Sequence, residues 1–204
     1  MPTTRSKSKK RIGQILLQVR LTLLEAPVPI WRRLIINDQM PLHILHEVFQ
    51  IAMGWWNYHL HDFRAKGRHF GDLDTADGDP KVEDETKFVL ADLVNQVGDK
   101  FIYDYDFGDS WSHEVIVEKE VFEIDAPLAV CTAGKRACPP EDVGSNSGYL
   151  RFLEIIEDPE HVERNEMLAW AGGNFDPDSF DVRIANLRLI LLEQQIQRSK
   201  LAIL

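Results

Sequence analysis

The chain of 204 residues is 44% hydrophobic and 27% charged, the composition of an ordinary globular protein that needs no disulfides to fold. Its formal net charge of −10 disfavours nucleic acid as a partner of the main body, because an acidic surface repels phosphate backbones. No apolar run reaches the roughly 18 residues of a membrane helix and no apolar secretion signal follows the N-terminus, which predicts a cytoplasmic protein without a membrane partner.

Basic residues are concentrated at the N-terminus. Residues 1–11 (MPTTRSKSKKR) hold five of them and no acid, which leaves 18 basic and 33 acidic residues in the remainder. We expect residues 1–12 to be a disordered tail and residues 1–11 to be the only segment through which the protein can bind nucleic acid. Cys131 and Cys138 are predicted to be free thiols, since a reducing cytoplasm disfavours disulfides.

The first 65 residues predict two strands, a helix and a third strand. Residues 14–24 (QILLQVRLTLL) alternate in polarity, and residues 30–36 (IWRRLII) follow a connection with two prolines, which favours an antiparallel hairpin. Pro41 suits the first turn of a helix that carries one apolar stripe and ends at Gly54. Residues 58–65 (YHLHDFRA) then predict a short strand.

Residues 101–117 (FIYDYDFGDSWSHEVIV) are predicted to form a β-hairpin. In its first strand aromatic side chains occupy every second position and so share one face, which we expect to be buried: Phe101, Tyr103, Tyr105 and Phe107. Residues 108–110 (GDS) supply the turn, and residues 111–117 form the returning strand.

The register of this hairpin remains open between two alternatives. Pairing Phe107 with Trp111 across a three-residue loop sets Asp104 opposite Glu114, which is unfavourable for two like charges. Pairing Phe107 with Ser110 sets Asp104 opposite a histidine instead.

The composition changes after Pro127. Residues 127–148 are rich in Gly, Pro and Ser and predict an irregular loop. The pattern that follows predicts three helices, over residues 149–157, 159–171 and 182–198.

Together these elements predict the α+β class: a mixed or antiparallel sheet with the helix after Pro41 packed on it and C-terminal helices over one side or edge. The chain order β-β-α-β is similar to that of a β-grasp fold. We expect residues 13–198 to form a single domain, sheet-rich over residues 13–126 and helical over residues 149–198. A separate helical domain from about residue 147 is the alternative.

Seven separated motifs follow one another along the chain. They are PIWRR (29–33), LHEV (45–48), GW (54–55), HLHDF (59–63), YDYDFGDSWSH (103–113), GKRACPPED (134–142) and GGNFDPDSF (172–180). Together they resemble the plasmid pRiA4b ORF-3-like family, which includes TnpR-like passenger proteins of insertion elements. The resemblance implies an α+β fold and no established reaction. The sequence departs from the family pattern at Asp62, where Glu is usual, and at Val143, where a cysteine-containing run is common.

The polar side chains of these motifs are the candidate site residues. A candidate polar cluster comprises Asp106, Asp109, His113, Cys138, Glu141 and Asp142. His59 and His61 share one face of the predicted strand, about 7 Å apart at the backbone, and with His113 they form a candidate metal site for a divalent ion, zinc first. The alternative is a structural role, in which these groups hydrogen-bond the strand ends and the irregular loop.

The sequence leaves three functions open. The leading hypothesis is a non-enzymatic interaction or accessory protein, in keeping with the resemblance to passenger proteins of mobile elements, with a protein or a small molecule as its partner. The second is a metal-dependent enzyme that uses the His/Asp group. The third is a DNA-associated protein that acts through the basic tail.

Overall fold

The computed structural model describes residues 15–74, 81–121 and 127–201. The predicted basic tail, residues 1–12, lies outside the described residues. Within the described ranges, no helix combines the length and apolar character needed to cross a membrane.

Eight strands of the described residues form one sheet. Their bounds are β1 (Leu16–Leu23), β2 (Trp31–Asn37), β3 (His61–Ala65), β4 (Arg68–Gly71), β5 (Val82–Asp84), β6 (Lys100–Tyr105), β7 (Trp111–Val121) and β8 (Ala129–Lys135). Their spatial order is β5-β4-β3-β6-β7-β1-β2-β8, and every neighbouring pair is antiparallel except β4 and β5. Both predicted hairpins and the strand between them therefore belong to the same sheet.

The helices of the described ranges confirm the α+β class. They are α1 (Leu42–Met53), α2 (Leu90–Leu93), α3 (Ser145–Glu157), α4 (Arg164–Trp170) and α5 (Val182–Leu201). As predicted, α1 begins directly after Pro41 and ends at Gly54, whose φ of 109° is the left-handed conformation of a glycine helix cap.

The hydrophobic core lies between one face of the sheet and α1. β1 buries alternate side chains, and β6 contributes the rings of Phe101, Tyr103 and Tyr105, each at most 2% exposed. Phe49 of α1 packs edge-on against Tyr103, with the ring centres 5.2 Å apart. The alternation that predicts these strands therefore reflects burial of a single sheet face.

The hairpin of β6 and β7 has neither of the predicted registers. Tyr105 pairs with Trp111, so five residues connect the strands and both alternatives are wrong. Asp106 adopts a left-handed φ of 57°, and its Oδ1 accepts the backbone N–H groups of Gly108 (2.9 Å) and of the next residue (3.2 Å). Phe107 therefore belongs to this turn rather than to β6, and it is 56% exposed instead of buried.

The segment 127–148 is not an irregular loop throughout, because it contains β8 and the start of α3. β8 pairs with β2 at the edge of the sheet. Its backbone also bonds to α5, where the Asn186 amide accepts the N–H of Cys131 and donates to its carbonyl, both at 2.8 Å. These partners are distant in sequence, so the local composition does not indicate the strand. α5 packs against α1 as well as β8.

Two other predicted elements are shorter than expected. The strand predicted from residue 58 begins at His61, and Asn57 before it has a left-handed φ of 60°. The helix predicted over residues 159–171 is limited to α4. Residues 158–163 before it form turns, in which the N–H of His161 donates to the carbonyl of Asp158.

Candidate functional site

His59 lies among three carboxylates beside the turn between β6 and β7. Its Nε2 is 3.2 Å from Asp142 Oδ1, 3.6 Å from Asp106 Oδ2 and 4.0 Å from Glu141 Oε2. This nitrogen is buried, yet it makes no hydrogen bond to the described residues, because the nearby oxygens lie outside hydrogen-bonding geometry. His59, Asp106 and Asp142 offer ligand atoms within 4.8 Å of one another, and no other set of described residues does so. We call these three residues the His59 cluster.

Glu141, next to the cluster, is fixed by two hydrogen bonds. Its carboxylate accepts the N–H of Trp56 at 2.9 Å and the hydroxyl of Tyr105 at 3.0 Å. Burial raises the pKa of Glu141 above its usual range. Asp142 follows in a left-handed conformation and leaves its side chain 69% exposed, so the cluster is open to solvent on that side.

A hydrogen-bond network on α1 holds the segment that carries His59. The N–H of Asn57 donates to Gln50 Oε1 at 3.1 Å, and Asn57 Oδ1 is 2.6 Å from His46 Nε2. Gln50 in turn donates to the Tyr103 hydroxyl at 2.8 Å, and that hydroxyl is 2.8 Å from His46 Nδ1. This closed ring of bonds fixes Asn57, two residues before His59, against the helix.

The same network determines the proton position on His46. The amide nitrogen of Asn57 points to Glu47 at 3.4 Å, so its oxygen faces His46 and requires a proton on Nε2. Nδ1 then accepts from the Tyr103 hydroxyl. Burial, followed by the proximity of His61, lowers the pKa of His46 to about 3, so its ring stays neutral.

The three imidazoles of the predicted metal site make different contacts, although His59 and His61 border the same cleft. His61 stacks on His46 with ring centres 3.4 Å apart, and its Nε2 is 2.9 Å from a carboxylate oxygen of buried Glu85. His113 is fully buried, its Nδ1–H donates to a carbonyl of β6 at 3.1 Å, and burial lowers its pKa to about 4. His59 precedes the first residue of β3, so it does not share a strand face with His61, and the three predicted ligands do not come together.

The predicted polar cluster is brought together only in part. Asp109 accepts the N–H of Gly144 at 3.0 Å and ties the hairpin turn to the start of α3. Cys138 lies against Gly54, and burial raises the pKa of its thiol to about 12, which disfavours a nucleophilic thiolate. The structure places Asp106, Glu141 and Asp142 around His59, and it places Asp109, His113 and Cys138 elsewhere.

The sequence did not indicate the roles of His46 and Gln50, which hold Asn57 near the cluster, or of Glu85, which contacts His61. His46 and Gln50 are only 4% and 2% exposed. Two polar side chains four positions apart in an otherwise apolar helix were the sequence pattern that could have indicated a buried hydrogen-bond network. Glu85 gave no signal, because it is one acid among many in an acidic stretch.

The fold and the site define an α+β protein whose eight-stranded sheet is covered by α1 and α5 and carries a His/carboxylate cluster beside one hairpin turn. The family model described as "Plasmid pRiA4b ORF-3-like protein" matches residues 15–184, so the chain belongs to that family. This confirms the resemblance to the plasmid pRiA4b ORF-3-like family, while the link to insertion elements stays a prediction.

Proteins similar to this chain are known from sequence and from structure. The chain is 36% identical over 173 residues to "Uncharacterized protein y4hQ" of Sinorhizobium fredii (strain NBRC 101917 / NGR234), a match that covers 83% of this chain and 87% of that protein. It is also similar to the crystal structure of a protein of unknown function, MM3350, from Methanosarcina mazei Go1. That match has a TM-score of 0.74 and 34% identity, and it covers 84% of this chain and 98% of the other. Neither name assigns an activity.

Proposed function

We propose that the protein is a metal-dependent enzyme whose divalent ion is held by the His59 cluster. The observation that carries this proposal is the position of His59 Nε2, which is buried without a hydrogen bond to the described residues and within 4.0 Å of three carboxylates. A cation between these groups would satisfy the nitrogen and neutralise the repulsion among the carboxylates. Zinc is the first ion to test, because imidazole and carboxylate are both common zinc ligands.

The arrangement suits hydrolytic chemistry. Three protein ligands leave room for water, and a divalent ion supplies a water molecule with a lowered pKa. Glu141 Oε2 lies 4.0 Å from His59 Nε2 and can therefore accept a proton from a water molecule beside the cluster. The raised pKa of Glu141 makes it a stronger base than an ordinary carboxylate. The exposed side of Asp142 gives a substrate access to the cluster.

Elemental analysis of the full chain, purified without tag or chelator and then incubated with Zn²⁺ or Mn²⁺ and dialysed, tests the proposal. We expect stoichiometric metal in the wild type and its loss in His59→Ala. His69→Ala is the matched control and should keep the metal, because His69 lies outside the cluster, 3.1 Å from Asp62. Metal-free wild type, or equal metal content in His59→Ala, would contradict the proposal.

An accessory role with a protein partner, linked to mobile elements as the family resemblance implies, is the second candidate, and the outer face of α5 favours the protein partner. Ile184, Leu187 and Leu191 on this helix are 53%, 60% and 57% exposed although they are apolar. A row of exposed apolar side chains is typical of a surface that binds another protein. We also propose a cytoplasmic location, which the free thiols of Cys131 and Cys138 support.

A further inference from the structure

A cleft of about 900 Å³ runs beside the His59 cluster. It lies between the end of α1, residues 137–142 and α5, and Glu141 and Asp142 border it. Aromatic side chains line its walls, and two of them, Trp56 and Tyr58, are 65% and 72% exposed. A molecule in this cleft can therefore contact flat apolar surface and the cluster at the same time.

Arg188 of α5 is the cation that the cleft offers to a ligand. Its guanidinium carbon lies 5.8 Å from the ring centre of Trp56, and the side chain makes no ion pair within the described part of the chain. Arg32, which also lines the cleft, is 1% exposed and uses four of its five N–H donors on the carbonyls of four residues. Two further aspartates line the cleft: Asp181 is paired with Arg183 at 2.7 Å, and Asp176 accepts the N–H of Asp178 at 3.0 Å.

We infer that the cleft binds an organic oxyanion, a carboxylate or phosphate carried on an aromatic group, with the oxyanion at Arg188 and the flat group against Trp56. The planar guanidinium matches carboxylate and phosphate oxygens in a bidentate fashion. The indole face suits an aromatic ring.

This inference rests on the proposed function, because the carboxylates of Glu141 and Asp142 repel an anion unless a bound cation neutralises them. A divalent ion balances the charges of its two carboxylate ligands, Asp106 and Asp142, so the repulsion of an anion by this end of the cleft falls to that of Glu141 alone. The oxyanion ligand is then held with its far end directed at the cluster, which makes such compounds the substrate class of the proposed enzyme.

Calorimetric titration of the metal-loaded full chain with phenyl phosphate, benzoate and benzylamine tests the inference. We expect one or both anions to bind, and Arg188→Ala to weaken that binding by about tenfold or more, as for loss of a charge-assisted bidentate contact. Arg198→Ala is the matched control, since it removes the same charge from an exposed position of α5 outside the cleft. Arg188 is itself exposed, so both variants should fold.

The metal content of each sample, measured in parallel, reports on the proposed function independently. Equal anion affinity of Arg188→Ala and the wild type overturns the inference and leaves the metal site intact. Tighter binding of benzylamine than of either anion also overturns it, because the carboxylates of the cleft would then select cations. The anion that binds more tightly, phenyl phosphate or benzoate, identifies the oxyanion that the site prefers.

Discussion

His113 lies on the covered face of β7 between the rings of Trp55 and Tyr103, with ring-centre distances of 5.3 and 5.4 Å. Its Nδ1–H donates to the Tyr103 carbonyl, which leaves Nε2 unprotonated, buried and without a hydrogen-bond partner among the described residues. A charge on this ring would be costly, and burial accordingly lowers its pKa to about 4. The structure therefore keeps this ring neutral within the core.

The lowered pKa of His113 makes stability depend on pH. The unfolded chain takes up this proton near pH 6.5 and the folded chain only near pH 4, so stability present above pH 6.5 is lost as the pH falls between these values. We expect His113→Leu to flatten the dependence of the unfolding free energy on pH by about 1.4 kcal/mol per pH unit in this window. Urea denaturation between pH 7 and pH 4.5 measures it. Equal slopes in the variant and the wild type would contradict the assignment.

At the scale of elements, the start of α3 depends on the absence of a side chain at Gly148. A Cβ at this position would lie 2.0 Å from the carbonyl oxygen of Val143. The close approach brings residues 142–144 back against the helix, next to the hydrogen bond from Gly144 to Asp109. α3 therefore fixes the loop that presents Asp142 to the cluster.

Gly148→Ala should destabilise the protein, although the same change in an exposed helix stabilises by about 1 kcal/mol. We expect a loss of about 1–3 kcal/mol, because the Val143 backbone has to move to admit the methyl group. Urea denaturation provides the measurement, and Ser147→Ala in the same helix is the control, with an expected change within about 0.5 kcal/mol. A stabilised Gly148→Ala variant would show that residues 143–148 do not pack in this way.

At the scale of the whole molecule, side chains of the helical part and of the sheet belong to one buried cluster. Tyr149 and Phe152 of α3 and Leu189 of α5 belong to the same core as the strand residues. Arg32 of β2 also stacks on Phe180, at 3.9 Å from the ring centre. These contacts are the physical basis for expecting residues 13–198 to unfold together.

We predict a single cooperative unfolding transition. Far-UV circular dichroism and tryptophan fluorescence should give coincident denaturation curves, because both sets of elements share their core. Two separate transitions would instead favour the alternative of an independent helical domain from about residue 147. A variant with Leu189→Ala, which removes a side chain that is 2% exposed, should shift both signals equally.

DNA binding is predicted to depend on the tail alone, because the remainder of the chain has 18 basic and 33 acidic residues. Any affinity for duplex DNA at low salt should fall steeply as salt is added and disappear when residues 1–11 are deleted. Fluorescence anisotropy at several salt concentrations measures this. DNA binding that survives the deletion would require a site on the acidic body and contradict the prediction.

The sequence by itself determined the elements whose signals are local. Alternating polarity identified β1 and β6, and Pro41 with Gly54 bounded α1, because strand faces, helix stripes and caps depend on residues a few positions apart. The family motifs also contain His59, Asp106 and Asp142, although the spacing of these residues along the chain does not indicate that they meet.

Only the tertiary structure decided features that depend on distant partners. The register of β6 and β7 follows from the Asp106 turn, and β8 forms because β2 and Asn186 satisfy its backbone. The different partners of His59 and His61 likewise depend on the network that holds Asn57 on α1. Hydrogen bonds between residues far apart in sequence leave no periodic pattern in the chain, so these choices cannot be made from neighbouring residues alone.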